Sequence, residues 1–229
     1  MAGTAMSAVV IFDLDGTLVD SVADLAAAAN RMLKEQGVDP LPTKTVQRFV
    51  GNGLPKLVER VMRHCDLPSA RHAELTQNTL QHYSAAPISE STVYPGIPEA
   101  LQQLRDLGCA LGVCTNKPEA PARHVLDAFD LSPFFGHVVG GDSLSVRKPD
   151  PALLTACVSG LSQAGPTIFV GDSEVDAETA QRAKVPFLLF SQGYRKSPVA
   201  EIPHRFSYDD SAEIPALVQQ IVQAETRPA

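Results

Sequence analysis

No run of about 18 or more apolar residues occurs in the chain, so the sequence predicts no transmembrane helix. Residues Met1 to Ser7 lack the basic cluster and apolar stretch of a secretory signal, and Met6 reads as an alternative start, with Met1 to Ala5 an extension. Blocks of like charge, internal repeats and low-complexity tracts are also missing, apart from the alanines Ala26 to Ala29. Cysteine is scarce. Cys65, Cys109, Cys114 and Cys157 form no C-x-x-C pair and no zinc-spaced set with histidine, so they read as small buried apolar residues in a reducing cytoplasm. The 6 histidines are scattered, without a partner at metal or triad spacing. Basic residues are outnumbered: 19 Lys and Arg against 26 Asp and Glu leave a net charge of −7, which argues against broad nucleic-acid binding and against adhesion to acidic membranes. A local group of donors can still hold a small anion. What is present, 229 residues of which 44% are hydrophobic, suffices for one large domain or for a domain with an insertion.

The opening strand sets the theme. Val9-Val10-Ile11-Phe12 is a continuous apolar run, as expected of a strand buried on both faces, and it ends in Asp13-Leu14-Asp15-Gly16-Thr17. From about Tyr94 onward strand and helix patterns alternate. Helix is predicted over Pro98 to Leu107, Glu119 to Phe129, Pro151 to Ser159, Glu174 to Ala183 and around Ile214 to Ala224. Strand is predicted over Cys109 to Cys114, His137 to Val139, Thr167 to Val170 and Pro186 to Phe190. Such alternation implies right-handed crossovers and an α/β fold, a parallel sheet with helices on both faces. Residues 19–92 differ, because only helical patterns occur there, beginning after Ser21 as a candidate N-cap. The chain therefore divides into an α/β core from residues 1–18 and 93–229 and an inserted helical lid from 19–92. The sheet is expected to resume near Val93-Tyr94.

In a parallel sheet, the residues that follow each strand meet along one edge. Here that edge collects Asp13 and Asp15, then Thr115, Asn116 and Lys117, then Lys148-Pro149-Asp150, then Asp172 and Asp176. Each short motif has a plain structural explanation, such as a turn at Thr115-Asn116 or a helix start capped by Asp150 or Asp172. Their shared placement does not. Two carboxylates about 4 Å apart repel by roughly 4 kcal/mol at an effective dielectric near 20, so such a group must protonate or gather a cation. Hard oxygen donors without nearby cysteine or histidine favour Mg²⁺, and Lys148, Thr115 and Asn116 suit a phosphate beside it.

The ordered set D-L-D-G-T, T-N, K-P and G-D-S-x-x-D resembles the four-motif pattern of the haloacid dehalogenase superfamily, over about Val9 to Phe190. The resemblance implies a Rossmann-like core with an α-helical cap. It implies Asp13 as the nucleophile that forms an aspartyl-phosphate, and Asp15 as the acid and base that serves the leaving group and then water. It implies Mg²⁺ held by Asp13, the main-chain carbonyl of Asp15, and Asp172, with Asp176 behind them supporting the metal waters or orienting Lys148. Thr115, Asn116 and Lys148 would hold the phosphoryl oxygens. The second aspartate sets the pattern apart from dehalogenases. The segment Phe49-Val50-Gly51-Asn52-Gly53, with the first motif and its helix, resembles bacterial 2-phosphoglycolate phosphatases. Gly51, Asn52 and Gly53 would then seat the carboxylate of a small phosphorylated acid, aided by Lys56 or Arg48. The alternatives are a broader sugar-phosphate or nucleotide phosphatase, a β-phosphoglucomutase, and a non-catalytic phosphate-binding protein. A homodimer is compatible with the sequence, and nothing in it dictates one.

Overall fold

The computed structural model describes residues 7–85 and 88–225, so the reading of Met6 as a start lies outside the described residues. The elements in chain order are β1 (Val9–Phe12), β2 (Val19–Asp20), α1 (Val22–Glu35), α2 (Thr43–Gln47), α3 (Leu54–His64), α4 (His72–Ala85), β3 (Thr92–Val93), α5 (Ile97–Asp106) and β4 (Ala110–Cys114). Then follow α6 (Glu119–Ala128), β5 (His137–Val139), α7 (Ala152–Ser159), β6 (Thr167–Gly171), α8 (Glu174–Ala183), β7 (Phe187–Phe190), β8 (Phe206–Tyr208) and α9 (Ile214–Glu225).

Six strands form one parallel sheet in the order β5-β4-β1-β6-β7-β8. Strand β1 is central and wholly buried. Its alternate residues serve opposite faces, as a two-residue period requires. Val10 and Phe12 join the cluster built from α5, α6 and α9, through Leu101, Val125 and Val218. Val9 and Ile11 join the cluster built from α7 and α8, through Leu154 and Ala177. The strand order reverses at β1, with β4 on one side and β6 on the other. Phe12 pairs with Val113 and with Val170, so the three strands run out level. That register brings Asp13, Thr115 and Asp172 to one crevice.

Helices α1 to α4 form a third cluster, centred on Met32, Leu33, Val58 and Val61, which also takes in Tyr194 from beyond β7. Two features depart from the pattern read above. Thr92–Val93 does not rejoin the main sheet but pairs antiparallel with Val19–Asp20 as a separate two-stranded ribbon. The main sheet gains a strand, β8, at an edge where three residues carry too little pattern to be legible.

Ser21 stands at the N-cap of α1 but makes no capping bond. Its hydroxyl donates to Asp15 Oδ1 at 2.5 Å. The capping work falls to Tyr194, whose Oη accepts from the backbone N–H of Ser21 (2.8 Å) and Val22 (3.0 Å) and donates to Asp20 Oδ1 (2.7 Å). Both amides belong to buried residues. Tyr194→Phe should therefore lose about 1–3 kcal/mol in urea denaturation, the cost of orphaning buried donors. Ser21→Ala should lose less stability than Tyr194→Phe. Equal losses would mean that the serine, not the tyrosine, caps the helix.

Candidate active site

Asp13 continues the β1 ladder by one bond, its N–H donating to Val170 O at 2.9 Å. The chain then turns sharply at Gly16, whose φ is +89°. A Cβ there would lie 2.5 Å from Asp172 Oδ2 and 2.8 Å from the Tyr194 ring, so only glycine fits. The turn sends the two aspartates to different partners. Asp13 Oδ1 accepts from Leu14 N–H (2.7 Å) and pairs with Lys148 Nζ (2.9 Å). Asp15 looks toward the helical segment and pairs with Lys117 Nζ, at 2.9 Å from Oδ1 and 3.1 Å from Oδ2.

Behind Asp13 lie Asp172 and Asp176, all three offering carboxylate oxygens within 4.8 Å of one another. Asp172 accepts from Thr17 Oγ1 (2.9 Å) and from Tyr194 N–H (2.5 Å). Asp176 is fully engaged. Its Oδ1 accepts from Lys148 Nζ at 2.7 Å, and its Oδ2 accepts from the N–H of Asp172 and the N–H and hydroxyl of Ser173. Ser173, not Asp172, caps α8, in a reciprocal box with Asp176. Asp172 is thereby left beside Asp13.

These contacts leave a large electrostatic imbalance. Burial is the main cause that pushes the Asp13 carboxyl up to about 7; Lys148 opposes the rise and Asp176 adds to it. Burial, then the charges of Asp176 and Asp13, raise Asp172 well above the usual carboxylate range. Burial would lower Lys148, but Asp13 and Asp176 outweigh it and hold the ammonium above its ordinary value. One lysine does not balance three clustered carboxylates, of which Asp172 and Asp176 are buried.

Thr115 lines the crevice, with its oxygen accepting from Lys117 N–H at 3.2 Å. Asn116 is occupied differently from the expectation that it holds phosphate. Its side-chain oxygen accepts from Lys148 N–H (2.9 Å), and its amide donates to Lys148 O (3.1 Å) and Gly51 O (3.4 Å). The amide therefore fixes the backbone that carries Lys148. Of the glycine-rich loop, Gly51 and Gly53 line the crevice. The Asn52 side chain instead accepts from Arg60 Nη2 at 2.7 Å. Lys56 is paired with Glu59 on an exposed face, and Arg48 lines a separate groove. The crevice itself holds about 50 Å³, where one water needs about 10–15 Å³, so it suits a small ligand.

Lys117, Thr17, Tyr83 and Tyr194 complete the surroundings. The pairing of Lys117 with Asp15 was signalled only by its place directly after Thr115-Asn116. Tyr194 had a signal as well, since it follows the strand ending at Phe190. Tyr83 had none, because helical periodicity does not say which turn of α4 meets the core.

Comparison with known proteins gives a consistent picture. Residues 10–190 match the family model of haloacid dehalogenase-like hydrolases, a span that includes all four motifs. A Cereibacter sphaeroides protein named phosphoglycolate phosphatase is 43% identical over 93% of this chain and 98% of its own. A Rhodospirillum rubrum protein of the same name is 42% identical over 91% of this chain and 90% of its own. A crystal structure from Haemophilus somnus, described as a predicted phosphoglycolate phosphatase, superposes with a TM-score of 0.87 at 30% identity, covering 95% of this chain and 100% of that one. Carrying the motifs, the sheet order and this likeness together, the chain belongs to the haloacid dehalogenase-like hydrolases.

Proposed function

We propose that the chain is a Mg²⁺-dependent phosphatase that converts 2-phosphoglycolate and water to glycolate and phosphate. The observation that carries this reading is the division of labour between two aspartates in one turn. Asp13 faces Lys148 and the acidic cluster, whereas Asp15 faces the helical segment and Lys117. The small crevice and the names of the relatives support phosphoglycolate as the substrate.

In this mechanism an oxygen of Asp13 attacks phosphorus, and the bond from phosphorus to the glycolate oxygen breaks. Asp15 gives that oxygen a proton. A water then attacks the aspartyl-phosphate, losing its proton to Asp15, and phosphate leaves with Asp13 regenerated. Lys148 offsets charge at Asp13, and Asn116 keeps Lys148 in place. The Thr115 hydroxyl offers a donor to the phosphoryl oxygens, whereas the N–H groups of Gly16 and Thr17 are taken within the turn by Val19 O and Leu14 O.

The donor set fits a hard divalent cation. Asp13 Oδ2 has no hydrogen bond among the described residues, and each oxygen of Asp172 accepts one, so both aspartates have lone pairs to give. Asp176 accepts three hydrogen bonds at Oδ2 and the Lys148 ammonium at Oδ1, which suits it to orienting Lys148 and Ser173 more than to direct ligation. Asp13, Asp172 and the Asp15 carbonyl would hold Mg²⁺, which when bound supplies positive charge to the phosphoryl oxygens. Residues 19–92 serve as the cap that closes over the core formed by 1–18 and 93–229, with the β2–β3 ribbon as the connection. The four free thiols suit a reducing compartment such as the cytoplasm.

Asp13→Asn should cut turnover of phosphoglycolate by at least about 1,000-fold, as loss of a nucleophile does. Mass spectrometry of trapped wild-type protein should find the phosphoryl group on Asp13. Turnover that survives in the variant refutes the nucleophile. In a panel with Mg²⁺, phosphoglycolate should exceed hexose phosphates and nucleotides in kcat/KM; a preferred hexose phosphate overturns the substrate.

The folded Asp13 carboxyl, at about 7, holds a proton between pH 4 and 7 that the unfolded chain, with a value of 3.8, has released. Stability from this group is present in acid and is lost as pH rises through 7, at up to about 1.4 kcal/mol per pH unit, with Asp172 acting in the same direction. Mg²⁺ prefers the ionised carboxylates. It should therefore raise the melting temperature of metal-free protein more at pH 8 than at pH 5, and Asp13→Asn should shrink that difference. Equal shifts at both pH values would rule out this site.

A further inference from the structure

The hydroxyl of Tyr83 is inaccessible to solvent and makes no hydrogen bond of good geometry among the described residues, the Lys117 ammonium being its polar neighbour. Such groups are rare and call for a reason. Tyr83 lies in the last turn of α4 and lines the crevice, with Lys117 Nζ 4.5 Å from its ring centre. Lys117 is itself buried, and its ammonium bonds both oxygens of Asp15. The wall above them is apolar, formed by Leu25, Leu57 and Leu80. Tyr83 and Lys117 are the hydrogen-bond donors that line the crevice beside Asp15 and these leucines.

Resting on the phosphoglycolate reading above, we propose that Tyr83 and Lys117 form the subsite that recognises the carboxylate of the leaving group. Chemistry fixes where that carboxylate falls. In phosphoglycolate a single methylene separates the ester oxygen from the carboxyl carbon. If Asp15 protonates the ester oxygen, the carboxylate lies beside Asp15, where Lys117 stands. The Tyr83 hydroxyl donates one hydrogen bond to a carboxylate oxygen, and the Lys117 ammonium opposes its charge. The methylene packs against the leucines. A neutral alkyl leaving group gains nothing from the pair and leaves the tyrosine unpartnered, so the subsite discriminates by charge as well as by size. This assignment differs from the glycine loop in using side chains of the core edge and α4, and the loop is unaltered in the test.

The experiment compares phosphoglycolate with ethyl phosphate, which has the same two-carbon length and no carboxylate, in wild-type protein and in Tyr83→Phe. Loss of a hydrogen bond to a charged group should lower the phosphoglycolate to ethyl phosphate ratio of kcat/KM by about 10- to 100-fold. Glycolate, as a product inhibitor, should show a raised inhibition constant in the variant. The melting temperature should fall little, because the variant keeps the ring and removes a hydroxyl whose polar neighbour, Lys117, still bonds both oxygens of Asp15. A ratio that is unchanged, with or without a lower melting temperature, overturns the subsite. If wild-type protein shows no preference for phosphoglycolate, the substrate reading fails and the subsite with it. If wild type shows the preference and Tyr83→Phe keeps it, the subsite alone fails.

Discussion

Lys148 holds the centre of this molecule together by opposing charges that would otherwise drive it apart. Its buried ammonium lies 2.9 Å from Asp13 and 2.7 Å from Asp176, at the point where β1 and β6 end level. Without a cation, like charges at these separations cost several kcal/mol in a partly dry site. The surrounding contacts then follow as requirements. Asn116 grips the Lys148 backbone on both sides. Ser173 and two amides saturate the far oxygen of Asp176. Thr17 and Tyr194 hold Asp172.

Those supporting contacts cross the whole chain. Thr17 and Asp172 are 155 positions apart, and Asn116 and Lys148 are 32 apart. Central placement of β1 makes this possible, because its carboxyl end touches the ends of both β4 and β6. Tyr194 extends the same logic outward. Its backbone serves Asp172, its ring packs with α1 to α4, and its hydroxyl caps α1. One residue thereby links the acidic cluster to the start of the helical segment.

The parts legible from sequence were those in which position and chemistry coincide. Apolar runs of strand length ending in Asp13, Thr115 or Asp172 announce both the strand and its cargo. The run of helices α1 to α4 was legible because strand-like runs cease after Val19 and return only after the helices. Partnerships were harder. A serine before a helix reads as a cap, yet the Ser21 hydroxyl is drawn to a nearer, charged acceptor. Asn116 reads as a phosphate donor, yet its amide is spent on Lys148. Two- and three-residue strands such as β2, β3 and β8 owe their existence to neighbours that are distant in sequence, and local pattern does not encode them.

The β2–β3 ribbon has a consequence of a different kind. Val19–Asp20 and Thr92–Val93 run side by side, so the polypeptide leaves the core and re-enters it through a single doorway. Whatever is threaded between those strands can lengthen, shorten or change its shape without shifting the register of the six-stranded sheet. On the division into core and cap proposed above, floor and roof are free to diverge separately, the floor keeping its chemistry while successive roofs select new molecules.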